Sequence, residues 1–289
     1  MALGFSSGFH RWLVLSVLLL LVLLAITQSN SPIIERMVTA GESGSETTTS
    51  IGTTLRFYLV RHGETLANIQ KIVVGQSDSP LTTLGQRQAS ALGETSFIKN
   101  TAFWRRYASD LPRTQQTAKL IDSSNSFVLD DRLREIAKGA RQGFPKSYTL
   151  EQCLEWFQHR PEEIPLSETS DDAWKRLSSF FIQIFEDALK ENSDRSMMQN
   201  ILIICHSGSL RLLLHKLVPG AHPLLSVTAD TKGSLDDNNR FQIPNTSLTI
   251  LDLTIPDSVD IKDLDEAKFL ESVAPKLVEL NWIGHYDSV

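Results

Sequence analysis

The sequence predicts an α/β sandwich built on a mostly parallel sheet. Apolar strand-like runs alternate with amphipathic helical segments along the chain. The run 201–205, ILIIC, is apolar without alternation, as in a central parallel strand covered on both faces. The composition is that of an ordinary globular protein, with 41% hydrophobic and 21% charged residues in a chain of 289. It excludes collagenous, coiled-coil and wholly disordered chains.

The elements follow in order. Residues 12–26 form a fifteen-residue run, apolar except for Ser16, behind His10 and Arg11. That is the shape of a secretory leader. As a helix it covers about 22 Å of a ~30 Å hydrocarbon layer. A cleaved leader, an uncleaved signal-anchor and an organelle-targeting segment all stay open. Membrane association through residues 12–26 and a secretory-pathway address, anchored or secreted, are therefore expected. The bounds read as leader or anchor 1–30, flexible Gly/Ser/Thr-rich linker 31–53 and catalytic domain 54–289.

Within the domain, residues 55–60 have strand composition and residues 84–97 read as a helix. Residues 107–110 form a short strand leading into a helix over 113–121, with Pro112 at its first turn. Residues 127–129 add a strand. A helix over 149–159 carries Leu150, Cys153, Leu154 and Phe157 on one stripe. The next, 172–191, is capped by Ser170 or Asp171 and has an apolar face of Trp174, Leu177, Phe181, Ile184, Phe185 and Ala188. After strand 201–205 come a helix over 209–217, a polar surface excursion over 226–240 and a strand over 247–253. One or two packing helices are expected over 264–280.

Two strands end in histidine motifs, LVRHGETLAN with His62 and ILIICHSG with His206. In an open α/β sheet, ligands bind beyond the carboxyl ends of the strands. Alone, each histidine reads equally as a structural loop residue, but the pair points to a site. Gly63 and Gly208 permit tight turns beside them. Arg61 and Arg113 offer planar forks suited to phosphate oxygens, and Arg113 opens a helix whose amides favour anions. An imidazole can attack phosphorus in line, and a carboxylic acid can then protonate the leaving oxygen. Glu135 is the first choice for that acid and Glu64 the second. No zinc-ligand spacing, Walker A or GxGxxG motif exists, so no cofactor is expected. The net charge of −6, from 28 basic and 34 acidic residues, offers no footprint for nucleic acid. Two cysteines exclude a disulfide scaffold.

The motifs, in order, are RHGET (61–65) with Asn68, GQSDSPLTTLGQRQA (75–89), SDLPRTQQTA with Arg113, LREI with Glu135, CHSG with His206, and PNTSLTIL (244–251) with Asn245. Together they resemble the histidine phosphatase superfamily, in its phosphoglycerate-mutase-like branch. The resemblance implies a three-layer α/β/α fold without an obligatory metal. It implies His62 as phosphorylated nucleophile, and Arg61, Asn68, Arg113, His206, Gly208 and Asn245 around the phosphate. Glu135 becomes the proton donor, and the partner a small phosphorylated substrate. Oligomeric state stays open.

The resemblance also offers both hydrolases and phosphoglycerate mutases. The 71-residue step from Glu135 to His206 lacks the longer insert of the mutases and favours hydrolysis. Gln142–Gly143, where phosphatases commonly have Glu–Gly, points the other way. A non-catalytic phosphate-binding protein is the third reading.

Overall fold

The computed structural model describes residues 52–191, 198–218 and 242–289. The apolar run 12–26, most of the linker and the excursion 226–240 lie outside these residues. Among the described residues no helix is long and apolar enough to cross a membrane. The expectation of a signal peptide or membrane anchor, of membrane association and of a secretory address thus meets no spanning helix among the described residues, and none is carried further.

Strand β1 spans Gly52–Arg61, so the sheet begins two residues before the expected domain start at 54. Its alternate side chains serve two cores. Leu55, Phe57 and Leu59 face one, while Tyr58 and Val60 face the other, as the two-residue period of a strand requires. Both sets are buried, because helices cover both faces of the sheet.

On the first face lie α6 (Ser170–Glu191), α7 (Ser207–Leu217) and α8 (Glu266–Ser272). Every residue of the expected apolar stripe of α6 is buried, and Phe57 meets Phe181 edge-on at 4.9 Å. Its start differs from expectation. Thr169 precedes the helix and exchanges hydrogen bonds with Asp172, so the cap lies one residue upstream of Ser170. On the second face lie α2 (Thr83–Gly93) and α4 (Pro112–Ile121), which contribute Ala89, Leu92, Ala118 and Ile121. The helix expected over 84–97 divides into α2 and the short α3 (Ser96–Lys99), with Thr95 between them.

The sheet has the order β3-β2-β4-β1-β5-β6. Here β2 is Phe103–Ala108, β3 Val128–Leu129, β4 Gln199–Cys205, β5 Leu248–Pro256 and β6 Ala274–Trp282. The pairs β2–β3, β2–β4 and β1–β4 are parallel, and β5 alone runs against its neighbours β1 and β6. The result is the three-layer α/β/α sandwich with a mostly parallel sheet.

Two expectations are met in part. Residues 264–280 hold one packing helix, α8, and most of the edge strand β6. The first six residues of β6 alternate in burial, and Pro275 sits near the strand start, which an edge accepts. The stripe expected on α5 (Leu150–Trp156) is half right. Cys153 and Phe157 are buried against Phe144, while Leu150 and Leu154 are exposed.

Candidate active site

Register builds the site. Arg61 pairs with Cys205 across β1 and β4, so the residues that follow, His62 and His206, emerge side by side. The His62 amide donates to the Cys205 carbonyl at 3.0 Å, and the two imidazoles lie 5.3 Å apart between centroids. On the other flank of β4, Ala108 pairs with Ile204, which brings Ser109 level with this pair. The Ser109 hydroxyl lies 2.9 Å from His206 Nε2.

His62 is buried and its Nδ1 lies 2.8 Å from the Gly63 carbonyl. A carbonyl only accepts, so Nδ1 carries the proton and Nε2 keeps its lone pair. Burial, followed by the charges of Arg61 and Arg113, pushes the His62 pKa well below the ordinary imidazole range. His206 shifts the same way, from burial and then Arg113. Both rings are thus neutral at neutral pH, which leaves His62 Nε2 with a free lone pair.

Arg113 is buried and Arg61 half-buried, and neither has a carboxylate hydrogen-bond partner among the described residues. Arg61 donates one bond to the Ile243 carbonyl at 2.5 Å, and burial lowers its pKa to about 10. Its Nε, like His206 Nδ1, is buried without a partner among the described residues. Buried polar atoms left this way cost free energy unless something arrives to meet them. Arg113, 1% exposed, donates to the carbonyls of Ser77 and Gly75, each at 2.7 Å. That contact ties helix α4 to the 75–77 turn. Gly75 itself needs its φ of +56 and its missing side chain, since a Cβ would strike Gln142 Oε1 at 2.2 Å.

Glu135 stands beside the start of α7. Its carboxylate accepts from the Gly208 amide at 2.8 Å and the Ile136 amide at 2.8 Å. Its negative charge acts on both Arg61 and Arg113. A Cβ at position 208 would come within 2.2 Å of Glu135 Oε1, so Gly208 makes room for the acid. The Glu135 carbonyl is clamped by Gln76 Nε2 and Arg176, and Arg176 is itself paired with Glu168 at 2.7 Å.

Asn68 caps the four-residue helix α1 (Leu66–Ile69) jointly with Thr65. Asn245 uses its amide protons on the His62 carbonyl (3.0 Å) and Asn68 Oδ1 (3.2 Å). It therefore reaches the site through the backbone of His62 rather than through an open donor. Glu64, the second choice for the acid, accepts a bond from Thr82 at 2.7 Å. Arg160 is paired with Glu163 and lies over the Trp156 ring, exposed on the surface after α5. Burial pushes the Cys205 thiol pKa far up, so this neighbour of His206 is packing.

Sequence reasoning missed several participants. Ser109 precedes the SDLPR helix in plain view, but its role depends on the β2–β4 register. Arg211, whose charge acts on Arg61, lies three residues after Gly208, where helical periodicity returns to the same face. Among the described residues, no cluster of His, Cys, Asp and Glu is arranged to hold a metal ion.

The model of the histidine phosphatase superfamily (branch 1) matches residues 57–257. A Yersinia pestis protein named probable phosphoglycerate mutase GpmB is 46% identical over 93 residues, 32% of this chain and 42% of that protein. The matched stretch thus spans less than half the length of that relative. Among solved structures, mycobacterial hydrolase 1 is similar at 22% identity, with a TM-score of 0.56 over 80% of this chain and 100% of that one. A phosphoglycerate mutase from Bacillus anthracis gives 17% identity and a TM-score of 0.52 over 82% and 97%. A mycobacterial glucosyl-3-phosphoglycerate phosphatase in complex with VO3 gives 20% and 0.52 over 79% and 98%. At these identities the structures establish the fold alone. The family match covers most of the chain, and this chain belongs to the histidine phosphatase superfamily (branch 1).

Proposed function

We propose that the chain hydrolyses phosphomonoesters through a phosphohistidine on His62. The observation that carries this reading is the His62 ring, fixed at Nδ1 by Gly63 with Nε2 left unprotonated, together with Arg61 Nε and His206 Nδ1, buried without partners among the described residues. A phosphoryl group satisfies those atoms and brings negative charge to Arg61 and Arg113.

His62 Nε2 attacks phosphorus, an N–P bond forms and the ester P–O bond breaks. The leaving oxygen takes a proton from the Glu135 carboxyl group. Water then attacks the phosphohistidine, gives its proton to the Glu135 carboxylate and releases phosphate, which restores both groups. Arg61, Arg113 and His206 hold the non-transferred oxygens throughout. Asn68, Gly208 and Asn245 shape this pocket from the side.

The full chain is expected to hydrolyse p-nitrophenyl phosphate in excess chelator, and His62→Ala to abolish turnover. Unchanged turnover in that variant sinks the mechanism. Glu135→Ala is expected to hurt poor leaving groups more than p-nitrophenol, which needs little protonation. Equal losses on both move the acid role elsewhere, with Glu64 next in line.

A second reading, phosphate transfer between hydroxyls of a phosphoglycerate, is favoured by Gln142. Its Oε1 accepts from the Gln76 and Lys138 amides, so a residue shared with mutases braces the turn that receives Arg113. Isomerisation of 3-phosphoglycerate without phosphate release decides for it. Phosphate binding without turnover in the intact protein decides for a non-catalytic role.

A further inference from the structure

The final turn of the chain, Gly284–Ser288, closes on the corner that precedes β5. Thr246 in that corner is fully buried and lies at φ +51, a left-handed conformation uncommon for a β-branched residue. Such outliers persist only where their surroundings over-determine them. The Thr246 amide donates to the carbonyls of Arg61 (3.0 Å) and His62 (3.3 Å), and its hydroxyl donates to the Asn245 carbonyl (2.8 Å).

That last bond uses the only hydroxyl proton of Thr246. His285 Nε2, 2.8 Å from the same oxygen, is therefore the donor in its own contact. The assignment leaves His285 Nδ1, buried and without a partner among the described residues, as a bare lone pair. An unpaired acceptor is the less costly choice, since orphaned buried N–H groups are the rarer kind. The Tyr286 hydroxyl donates to the Asn245 carbonyl as well. Trp282 and Tyr286 flank the His285 ring at 5.4 and 4.8 Å.

Both residues gripped by the tail grip His62. Asn245 Nδ2 and the Thr246 amide converge on the His62 carbonyl, one peptide before the Gly63 carbonyl that fixes the imidazole. We propose that His285 and Tyr286 are positioning residues for the nucleophile, acting through Thr246 and Asn245 on the backbone of His62. The proposal rests on the reading of His62 as nucleophile.

The test uses the full chain with p-nitrophenyl phosphate, steady-state and burst kinetics, and thermal melts. Tyr286→Phe removes one hydroxyl. It is expected to lower kcat and the burst rate of phosphoenzyme formation about tenfold, the scale of one well-placed hydrogen bond, with KM within about twofold. His285→Ala is expected to lose more, and His285→Gln, whose amide can donate to Thr246 Oγ1, to recover most of that loss.

Wild-type kcat in folded Tyr286→Phe overturns the proposal. So does a loss in both His285 variants that follows melting temperature alone, without rescue by Gln. If His285→Ala does not fold, Tyr286→Phe decides alone. His62→Ala run in parallel separates the two claims. An inactive His62→Ala beside fully active tail variants rejects only the tail proposal, whereas an active His62→Ala rejects the nucleophile itself.

Discussion

Strand β1 carries one arginine at its middle and one at its end, and the two are treated differently. Arg56 meets Asp252 on β5 through a two-pronged pair at 2.7 and 2.8 Å. Arg61, five residues on, finds one carbonyl and keeps a buried Nε without a partner among the described residues. Elsewhere the same sheet and its loops pair their arginines freely, as in Arg106–Asp122, Arg132–Asp130 and Arg134–Asp110. Arg61 and Arg113 have no carboxylate hydrogen bond among the described residues, and the proposed function gives their charge an external anion to meet. The comparison separates charges that hold the fold from charges held in readiness by it.

The largest expected effect breaks that contrast directly. Arg61→Met is expected to lower kcat/KM on the order of a thousandfold, by removing charge stabilisation at the transferred phosphoryl group. It is expected to leave the melting temperature unchanged or raise it, because a charge without a carboxylate hydrogen bond, with its Nε buried and unmet among the described residues, is gone. Arg56→Met is expected to do the reverse, costing about 2 kcal/mol in denaturant unfolding by stranding Asp252, with kcat/KM unaffected. Loss of stability in Arg61→Met, or of activity in Arg56→Met, erases the distinction.

A second test reads the histidines at the site end by pH. Burial lowers the His285 pKa from 6.5 to about 4. The unfolded chain therefore binds the proton more readily than the folded one between those values. Stability from this group is fully present above pH ~6.5 and is lost as pH falls toward 4, by about 3 kcal/mol. His62 and His206 shift in the same direction. Denaturant unfolding from pH 7.5 to 4 is expected to show this decline, and a shallower one in His285→Gln. An equal slope in that variant contradicts the assignment.

The smallest effect concerns the room left for the acid. Gly208→Ala pushes a Cβ against Glu135. It is expected to slow substrates with poor leaving groups about tenfold while p-nitrophenyl phosphate changes little. Equal losses on both place the disturbance at His206 instead.

Much of this arrangement was legible in the sequence for stated reasons. The ILIIC run has no polar alternation because helices cover both faces of β4, and the stripe on α6 is long enough for its period to be unambiguous. The two strand-end histidines could be placed because the sheet end is where such sites form. What stayed hidden depends on register or on the far end of the chain. Ser109 joins His206 only once β2 is aligned with β4. His285 and Tyr286 reach the corner before β5 from about forty residues away in sequence, which no local spacing announces. The α5 stripe misled because a seven-residue helix over a small satellite core needs only Cys153 and the following Phe157 inside.

Cys205 sits one residue before His206, buried 4% exposed at the end of β4, with its thiol held protonated by its surroundings. Cys153 is sealed as well. A phosphatase that works through sulfur can be silenced by peroxide or by alkylating reagents, because its nucleophile must be a thiolate. On the chemistry proposed here the attacking atom is nitrogen, and the nearest sulfur is closed to reagents. Oxidative conditions that switch cysteine-based enzymes off have no handle on this site.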